Sequence, residues 1–419
     1  MSYTETIRTY EGVIAYLCQK THTHQFRRLP SSNPHSLTID LEPADPLRWR
    51  MEISFEVEYF QSKLAMQCAL LTPPVKTLRL LCIKTSTTTM LAVLAKCPLL
   101  QHLAVGEDVC GRVDRSWAAV QAAREAVRNL KSLTLQLERS SVRFKNWLLE
   151  SVGPALLKME VKEEEKSEPS ELSDLDVPVR IPAQCTRLQC LIAWLYVPRG
   201  LEAHYHSLRI LVANQWPLDR LCDVIGGCFN LEEVYGRGWN KYDDFGGLYV
   251  TVARLPRLQH FGFKDLPDGV EDFIGVLAHV GPRLKGLQLA HKWVNASVLK
   301  AVGLYCENLE YVSILDMDDV ENDDYHTLHP SERLWSSRRS REFSSSAYAM
   351  AYTEGDVVEM VKACKRLRGL LPEIPLENPR FGWCNHVGTC HLAVALKKEG
   401  LGKVWSKAGP GLPFEDMED

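Results

Sequence analysis

The apolar positions of this chain follow one short phrase: an apolar residue, two others, an apolar residue, one other and a third apolar residue. Subtracting successive starts of the phrase gives spacings of 25, 30, 26, 32, 20, 23, 27, 26 and 25 residues, followed by a gap of 58. The phrase begins at Val75, Leu100, Leu130, Leu156, Leu188, Leu208, Leu231, Leu258, Leu284, Leu309 and, in a weaker form, Leu367. A unit of this length must stack on its neighbours to bury its apolar face, so the pattern predicts a repeat architecture.

Each repeat is predicted to contain a helix, a tight turn and a short strand. The phrase itself has the alternation of a strand, and apolar residues at helical spacing precede several copies, as at 90–94 and 273–278. A cysteine stands three residues before five of the phrases, at Cys97, Cys185, Cys228, Cys306 and Cys364. Cysteine behaves as a small apolar residue, so we expect these five to pack in the turns.

With this period and these cysteines, the sequence resembles the leucine-rich repeats of ribonuclease-inhibitor-like type. The version is the cysteine-containing one found in the substrate-recognition halves of F-box proteins. The resemblance covers about residues 75–315 and, more weakly, 355–372. It implies an α/β leucine-rich-repeat solenoid, curved, with a parallel sheet on the concave face and helices on the convex face.

The other half of that family is the F-box, a helical module that docks on the adaptor of a cullin-type ubiquitin ligase. An F-box usually opens with Leu-Pro, an acidic residue and then apolar helical positions. Here Leu29-Pro30 is followed by residues 31–34, Ser-Ser-Asn-Pro, which cannot start that helix. No other N-terminal segment fits better, so the sequence has no recognisable F-box.

Shifts in composition predict how the rest of the chain is organised. The acidic stretch at about 160–178 is expected to be a disordered insertion within the repeats, and the gap of 58 residues holds a second insertion. The predicted segments are an N-terminal cap with degenerate repeats at 1–74, which includes a strand-like stretch at 36–41, repeats at 75–315, a charged Ser-rich insertion at 316–354, a last weak repeat at 355–372, and a C-terminal cap with an acidic tail at 373–419.

Composition and charge exclude several classes of protein. The chain has 49 Lys and Arg against 53 Asp and Glu, and a net charge of -4 argues against a strongly basic nucleic-acid binder. No stretch approaches about 18 consecutive apolar residues, so no transmembrane helix is predicted. The N-terminus lacks the pattern of a secretory signal, and the thirteen cysteines are then expected to be free thiols. We therefore expect a cytoplasmic or nuclear location, with neither nucleic acid nor membrane as partner.

The sequence predicts no catalytic residues, no cofactor and no metal site. Residues 281–286 have the first spacing of a phosphate loop but are followed by Leu287 instead of lysine, and they lie on a repeat strand. The nucleophile-elbow and zincin motifs are missing. The one metal-like grouping, Cys384, His386, Cys390 and His391, lacks a familiar zinc spacing. An enzyme or metal protein is a remote alternative, which stoichiometric zinc would support.

A partner site is predicted on the strand positions between the apolar residues and in the loops that follow. These positions face away from the core, and they carry aromatic and basic side chains of the kind enriched at interface hot spots. The predicted partner-binding residues are Trp194, Tyr235, Arg237, Trp239, His260, Lys264, His291, Trp293 and Tyr311. Such a patch suits an acidic or phosphorylated peptide better than DNA, although the tryptophans could instead cover the ends of repeats.

These observations predict non-catalytic protein recognition on the concave surface. Two interpretations are open. The chain is either a substrate receptor of an F-box-type ubiquitin ligase, which binds the cullin-ligase adaptor, or a free-standing leucine-rich-repeat scaffold.

Overall fold

A computed structural model describes residues 4–7, 36–40, 66, 69, 75–81, 85–106, 109–110, 118–136, 142–162, 179–194, 196–237, 246–263, 270–290, 294–315, 354–372 and 399. The chain divides into two compact units, Met1–Leu208 and Arg209–Asp419. The described part of each unit repeats one motif, in which a strand is followed by a helix that leads to the next parallel strand.

The first unit contains a ladder of parallel strands in the order β1, β2, β3, β5, β7, β8, β9, and a separate short pair of β4 with β6. Its strands are β1 (Thr4–Ile7), β2 (Ser36–Asp40), β3 (Thr77–Leu81), β4 (Thr85–Ser86), β5 (His102–Gly106), β6 (Val109–Cys110), β7 (Ser132–Gln136), β8 (Lys158–Lys162) and β9 (Cys190–Trp194). Its helices are α1 (Thr87–Ala95), α2 (Ala118–Arg128), α3 (Val142–Ser151) and a 3₁₀ turn at Leu201–His204.

The second unit contains six described parallel strands, each paired with the next in chain order. The strands are β10 (Ile210–Asn214), β11 (Glu233–Arg237), β12 (His260–Phe263), β13 (Gly286–Ala290), β14 (Tyr311–Leu315) and β15 (Gly369–Pro372). The helices are α4 (Leu218–Gly227), α5 (Gly246–Ala253), α6 (Val270–Val280), α7 (Ala296–Tyr305), α8 (Glu354–Ala363) and a 3₁₀ turn at Gly281–Arg283. Successive helices pack against one another, so strands and helices form two layers.

Backbone hydrogen bonds hold neighbouring repeats in register. The carbonyl oxygen of Gln259 accepts from the amides of Lys285 (2.7 Å) and Gly286 (3.1 Å) in the next repeat. In the same way, the carbonyl oxygen of Arg209 accepts hydrogen bonds from the amides of Glu232 and Glu233 at the start of β11. Because each strand start is fixed by the repeat before it, equivalent phrase positions lie side by side across the sheet.

The core lies between the strands and the helices, as the apolar phrase predicts. At the third-last position of the phrase, Val234, Phe261, Leu287 and Val312 are all at most 3% exposed, and at the last position Leu80 and Leu289 are at most 1% exposed. The helices contribute the opposite side of the core through residues such as Val276 on α6. The prediction of an α/β leucine-rich-repeat fold with a parallel sheet and a helical layer is confirmed.

The five predicted turn cysteines are all buried free thiols. Burial raises the pKa of Cys185 to about 11 and that of Cys306 to about 12, so these thiols are protonated and unreactive near neutral pH. The carbonyl of each accepts a hydrogen bond from the leucine that opens the phrase, at 3.1 Å for both Cys185 and Cys306. The predicted packing role of these cysteines is therefore confirmed.

Glycine occupies the same turn position in two other repeats, at Gly153 and Gly281. A Cβ on Gly281 would lie 2.7 Å from the carbonyl oxygen of Tyr305, and one on Gly153 would overlap the carbonyl of Arg128. The turn therefore accepts only a small residue where a backbone carbonyl of a neighbouring helix end comes this close. This explains why the phosphate-loop-like segment 281–286 is a repeat turn followed by β13.

Several sequence predictions concern segments only partly described. The strand-like stretch at 36–41 contains β2, and the weak repeat at 355–372 contains most of α8 and all of β15. The insertions predicted at about 160–178 and at 316–354 lie mostly outside the described residues, but residues 160–162 are the end of β8 and Glu354 begins α8, so these ends of the two insertions are ordered elements. The cysteine–histidine grouping at 384–391 and nearly all of the C-terminal cap also lie outside the described residues. The predicted segment boundaries therefore stay predictions.

Candidate functional site

The candidate site is one face of strands β11–β14 in the second unit, which we call the open strand face. It carries the alternate strand positions that point away from the buried core positions. Two rows cross it in register. The first row is Glu233, His260, Gly286 and Tyr311, and the second is Tyr235, Gly262, Gln288 and Ser313. Neighbouring strands are about 4.8 Å apart, so each row spans roughly 14 Å.

Two glycines on this face are covered by side chains from neighbouring strands. A Cβ on Gly286 would overlap Nδ1 of His260, so the imidazole lies across the glycine of the next strand. A Cβ on Gly262 would lie 2.6 Å from Cβ of Gln288 and 3.0 Å from Cδ1 of Tyr235. The glycines therefore let larger side chains lie flat on the sheet, and Tyr235 is only 8% exposed as a result.

Glu233 is the buried carboxyl group of the open strand face. It is 7% exposed, its neighbours in register are Ile210 and His260, and its Oε2 is buried without a hydrogen-bond partner. Burial raises the pKa of Glu233 to about 7, and the charge of Glu232 raises it further, whereas a hydrogen bond with the Tyr235 side chain acts in the opposite direction. The group is therefore close to half ionised at neutral pH.

His260 is uncharged at neutral pH. Burial lowers its pKa to about 4, the positive charge of Lys285 lowers it further, and Glu310 opposes the change. Next to it, Tyr235 keeps its proton because burial raises its pKa well above the ordinary value. The described part of the open strand face is thus polar and aromatic, with little net charge before a partner binds.

The predicted partner-binding residues are distributed as follows. His260 and Tyr311 are half-buried on the open strand face, and Tyr235 lies on the same face but is buried. Trp194 is half-buried at the end of β9 and belongs to the first unit, and Arg237 ends β11 without a described side chain. The predicted residues outside the described part are Trp239, Lys264, His291 and Trp293.

Trp216 shows the alternative role that the sequence left open for the tryptophans. Gln215, directly after β10, has a left-handed backbone with φ of 59°, and the chain turns so that Trp216 is 1% exposed. This indole covers the end of a repeat and packs in the core.

Glu233 occupies an outward strand position, but the pattern of apolar residues does not distinguish it from other outward residues. The same pattern does not identify Gly262 and Gly286 as part of a site. A signal was present, because glycine at outward positions of two adjacent repeats predicts that side chains from neighbouring strands lie across them.

The described residues contain no group of three or more His, Cys, Asp or Glu side chains that could hold a metal ion. Over the same part of the chain, none of the helices has the length and apolar character needed to cross a bilayer.

Comparison with known proteins gives structural likenesses only. No protein-family model matches the sequence, and no curated protein sequence matches it either. The leucine-rich-repeat-containing protein LegL7 from Legionella pneumophila is 11% identical over 76% of this chain and 91% of its own, with a TM-score of 0.37. Rad7, solved with Elc1 in yeast, is 15% identical over 76% and 92%, with a TM-score of 0.34.

A third likeness is to TLR13, solved in a complex with ssRNA13. It is 12% identical and has a TM-score of 0.33. The alignment covers 58% of this chain and 42% of that protein, so this chain spans less than half of it.

Proposed function

We propose that this chain is a non-catalytic recognition scaffold that binds a protein partner on the open strand face. The observation that carries the proposal is a set of half-buried polar and aromatic side chains on three adjacent strands, with His260 and Tyr311 in the first row and Gln288 in the second. Such side chains combine apolar area with hydrogen-bonding groups, which is the composition of protein interfaces.

The partner proposed from the sequence is an acidic or phosphorylated protein segment. Three basic residues support it by their positions in the sequence, since Arg237 is the last residue of β11, Lys264 is the next residue after β12 and His291 is the next residue after β13. Guanidinium and ammonium groups bind phosphate and carboxylate through charge-assisted hydrogen bonds. The net charge of -4 favours a protein partner over nucleic acid, and binding to neither nucleic acid nor membrane is proposed.

A narrower proposal is that the scaffold is the substrate receptor of a cullin-type ubiquitin ligase. It is supported by the cysteine-containing repeats and by their resemblance to F-box proteins. A pull-down with the purified cullin-ligase adaptor tests it, with stoichiometric capture as the expected result. Lack of capture would favour the free-standing scaffold instead.

The broader proposal is tested by affinity purification with mass spectrometry on matched variants. Tyr311→Ala truncates an aromatic group on the open strand face, and Lys300→Ala removes an exposed side chain from α7 in the same unit. We expect Tyr311→Ala to weaken the main partner by about 30-fold, equivalent to roughly 2 kcal/mol, and Lys300→Ala to retain it. Equal capture by the two variants, both folded by thermal melting, would place the partner elsewhere.

A further inference from the structure

The Oε2 atom of Glu233 is a buried acceptor that receives no hydrogen bond from the described part of the chain. The side chain is more than nine-tenths buried, and it stands on the face that the proposed function assigns to a partner. Buried carboxyl oxygens ordinarily accept a hydrogen bond, and one that accepts none destabilises the folded chain unless a bound group donates to it. This feature therefore indicates a contact that a ligand supplies.

Among the described residues, none of the charged and titratable neighbours of Glu233 pairs it with a cation. On its own strand, Glu232 repels it and the Tyr235 side chain forms a hydrogen bond with it. On the β10 side, Nη1 of Arg209 lies 3.5 Å from Oε1 of Glu232 and is engaged there. On the β12 side, His260 is neutral near pH 7 and lies across the glycine of β13.

Two further groups lie beyond His260 and act on that histidine. Lys285 lowers the pKa of His260, and Glu310 raises it. Glu310 also faces Arg368, whose Nη1 lies 3.8 Å from Oε2 of the carboxylate. Glu310 and Arg368 are thus paired with each other, and Lys285 is an exposed residue that directly precedes β13, two strands away from Glu233.

We infer that Glu233 is the residue with which the open strand face binds a lysine or arginine side chain of its protein partner. The inference rests on the proposed function and names the chemistry at one end of that site. A cation held against a desolvated carboxylate forms a charge-assisted hydrogen bond, and it also satisfies the unpaired Oε2.

His260 lies in register with Glu233, but its imidazole extends over Gly286 on β13, away from the carboxyl. The approach of a cation to Glu233 therefore does not require this ring to move. Arg237 lies four residues after Glu233 on β11, about 13 Å away, so a bound segment has a preferred direction along the strand. The partner segment is then expected to carry a basic residue near Glu233 and acidic groups toward Arg237.

The inference is tested with phage-displayed random dodecapeptides selected on the full-length chain. Wild-type protein is expected to enrich peptides with a lysine or arginine at one fixed position. Glu233→Gln, which keeps the size of the side chain, should lose that enrichment and bind the selected peptide at least 10-fold more weakly. Glu232→Gln removes the same charge from the neighbouring residue, and it should change the affinity by less than about 3-fold because that carboxylate already faces Arg209 within the chain.

A proton-linkage measurement separates ionic binding from loss of folding. Binding of a cation drives Glu233 to its ionised form, so titration calorimetry at pH 7 in buffers of different ionisation enthalpy should show release of about half a proton per peptide. Glu233→Gln should release none while melting at a temperature no lower than wild type. Peptides without an enriched cation, or with equal affinity for Glu233→Gln and wild type, would overturn the inference alone. Failure of wild-type protein to enrich any peptide would overturn both the inference and the proposed function.

Discussion

In the described part of each unit, one glutamate is buried on the open side of the strands, and the two carboxyl groups differ in the origin of their hydrogen-bond donor. Glu160 on β8 of the first unit is 2% exposed, and its Oε2 accepts a hydrogen bond from Oγ1 of Thr134 on β7 at 3.3 Å. Glu233 on β11 of the second unit is 7% exposed, and its hydrogen bond comes from the side chain of Tyr235 on its own strand. The neighbouring strand thus supplies a donor to Glu160 and none to Glu233.

The difference comes from the residue in register on the preceding strand. Thr134 faces Glu160 and donates a hydroxyl proton, whereas Ile210 faces Glu233 and has no donor. Burial of a carboxyl group is tolerated when hydrogen bonds replace water, and otherwise the charged form becomes costly. We therefore interpret Glu160 as part of the framework of its repeat and Glu233 as a group that a partner completes.

The largest expected effect is on the pH dependence of stability in Glu233→Gln. The pKa of Glu233 is about 7 in the folded chain against an ordinary value of 4.5, so the folded state holds a proton that the unfolded state has released between these pH values. The stabilisation is complete below pH 4.5 and is lost as the pH rises through 7. Relative to wild type, the variant should gain about 3 kcal/mol of unfolding free energy between pH 4.5 and pH 8.

Urea unfolding across this pH range measures that gain, and His260 must be separated from it. The pKa of His260 is lowered to about 4, so its protonation destabilises the folded chain as the pH falls from 6.5 to 4. This loss of stability occurs toward acidic pH, whereas the loss caused by Glu233 occurs as the pH rises. Glu233→Gln should keep the loss of unfolding free energy toward acidic pH and should no longer show the loss as the pH rises through 7. Parallel curves for variant and wild type above pH 5 would contradict the contrast between Glu233 and Glu160.

An intermediate effect is expected for substitution of the buried cysteines, which tests whether the turns of the two units are equivalent. Cys185→Ser in the first unit and Cys306→Ser in the second each bury a hydroxyl in place of a thiol, and each should lower the free energy of unfolding by about 2 kcal/mol. Cys222→Ser on α4 is the matched control, because that thiol is only half-buried and should tolerate the change. Chemical denaturation of the three variants measures these differences, and a loss confined to one unit would show that the turns are not equivalent.

The smallest expected effect is that of Thr134→Val, which removes the donor to Glu160 while keeping the shape of the side chain. We expect a loss of about 1 kcal/mol in unfolding free energy, because a buried acceptor loses one of its donors. Thr134→Ser retains the hydroxyl and should stay closer to wild type. Thermal melting compares the two, and equal melting temperatures would mean that Thr134 does not distinguish Glu160 from Glu233.

Much of the fold follows from particular positions in the sequence. The alternation of LQHFGF from Leu258 predicts that Phe261 is buried and that His260 faces outward, and both are found. The cysteine three residues before a phrase predicts a cramped turn, and Cys306 is fully buried in one. These features are local, because they depend on the period of one strand or one helix.

The site was less predictable because its properties depend on residues a whole repeat away. Tyr235 occupies an outward position, but it is buried because residue 262, in the next repeat, is a glycine. Glu233 receives no hydrogen bond from the residue in register in the preceding repeat, because residue 210 is an isoleucine. Neither relation appears until the register between strands is known.

The sequence by itself determined the repeat unit, its helix and strand, the inward apolar positions and the buried turn cysteines. These follow from the spacing of apolar residues within about 25 positions, and stacking is then required to bury the apolar face. The tertiary structure alone decided which outward side chains remain available, since that depends on what lies beside each of them across the sheet. Cross-strand neighbours sit about 4.8 Å apart in space but some 25 residues apart in the chain, so a single strand read alone does not contain them.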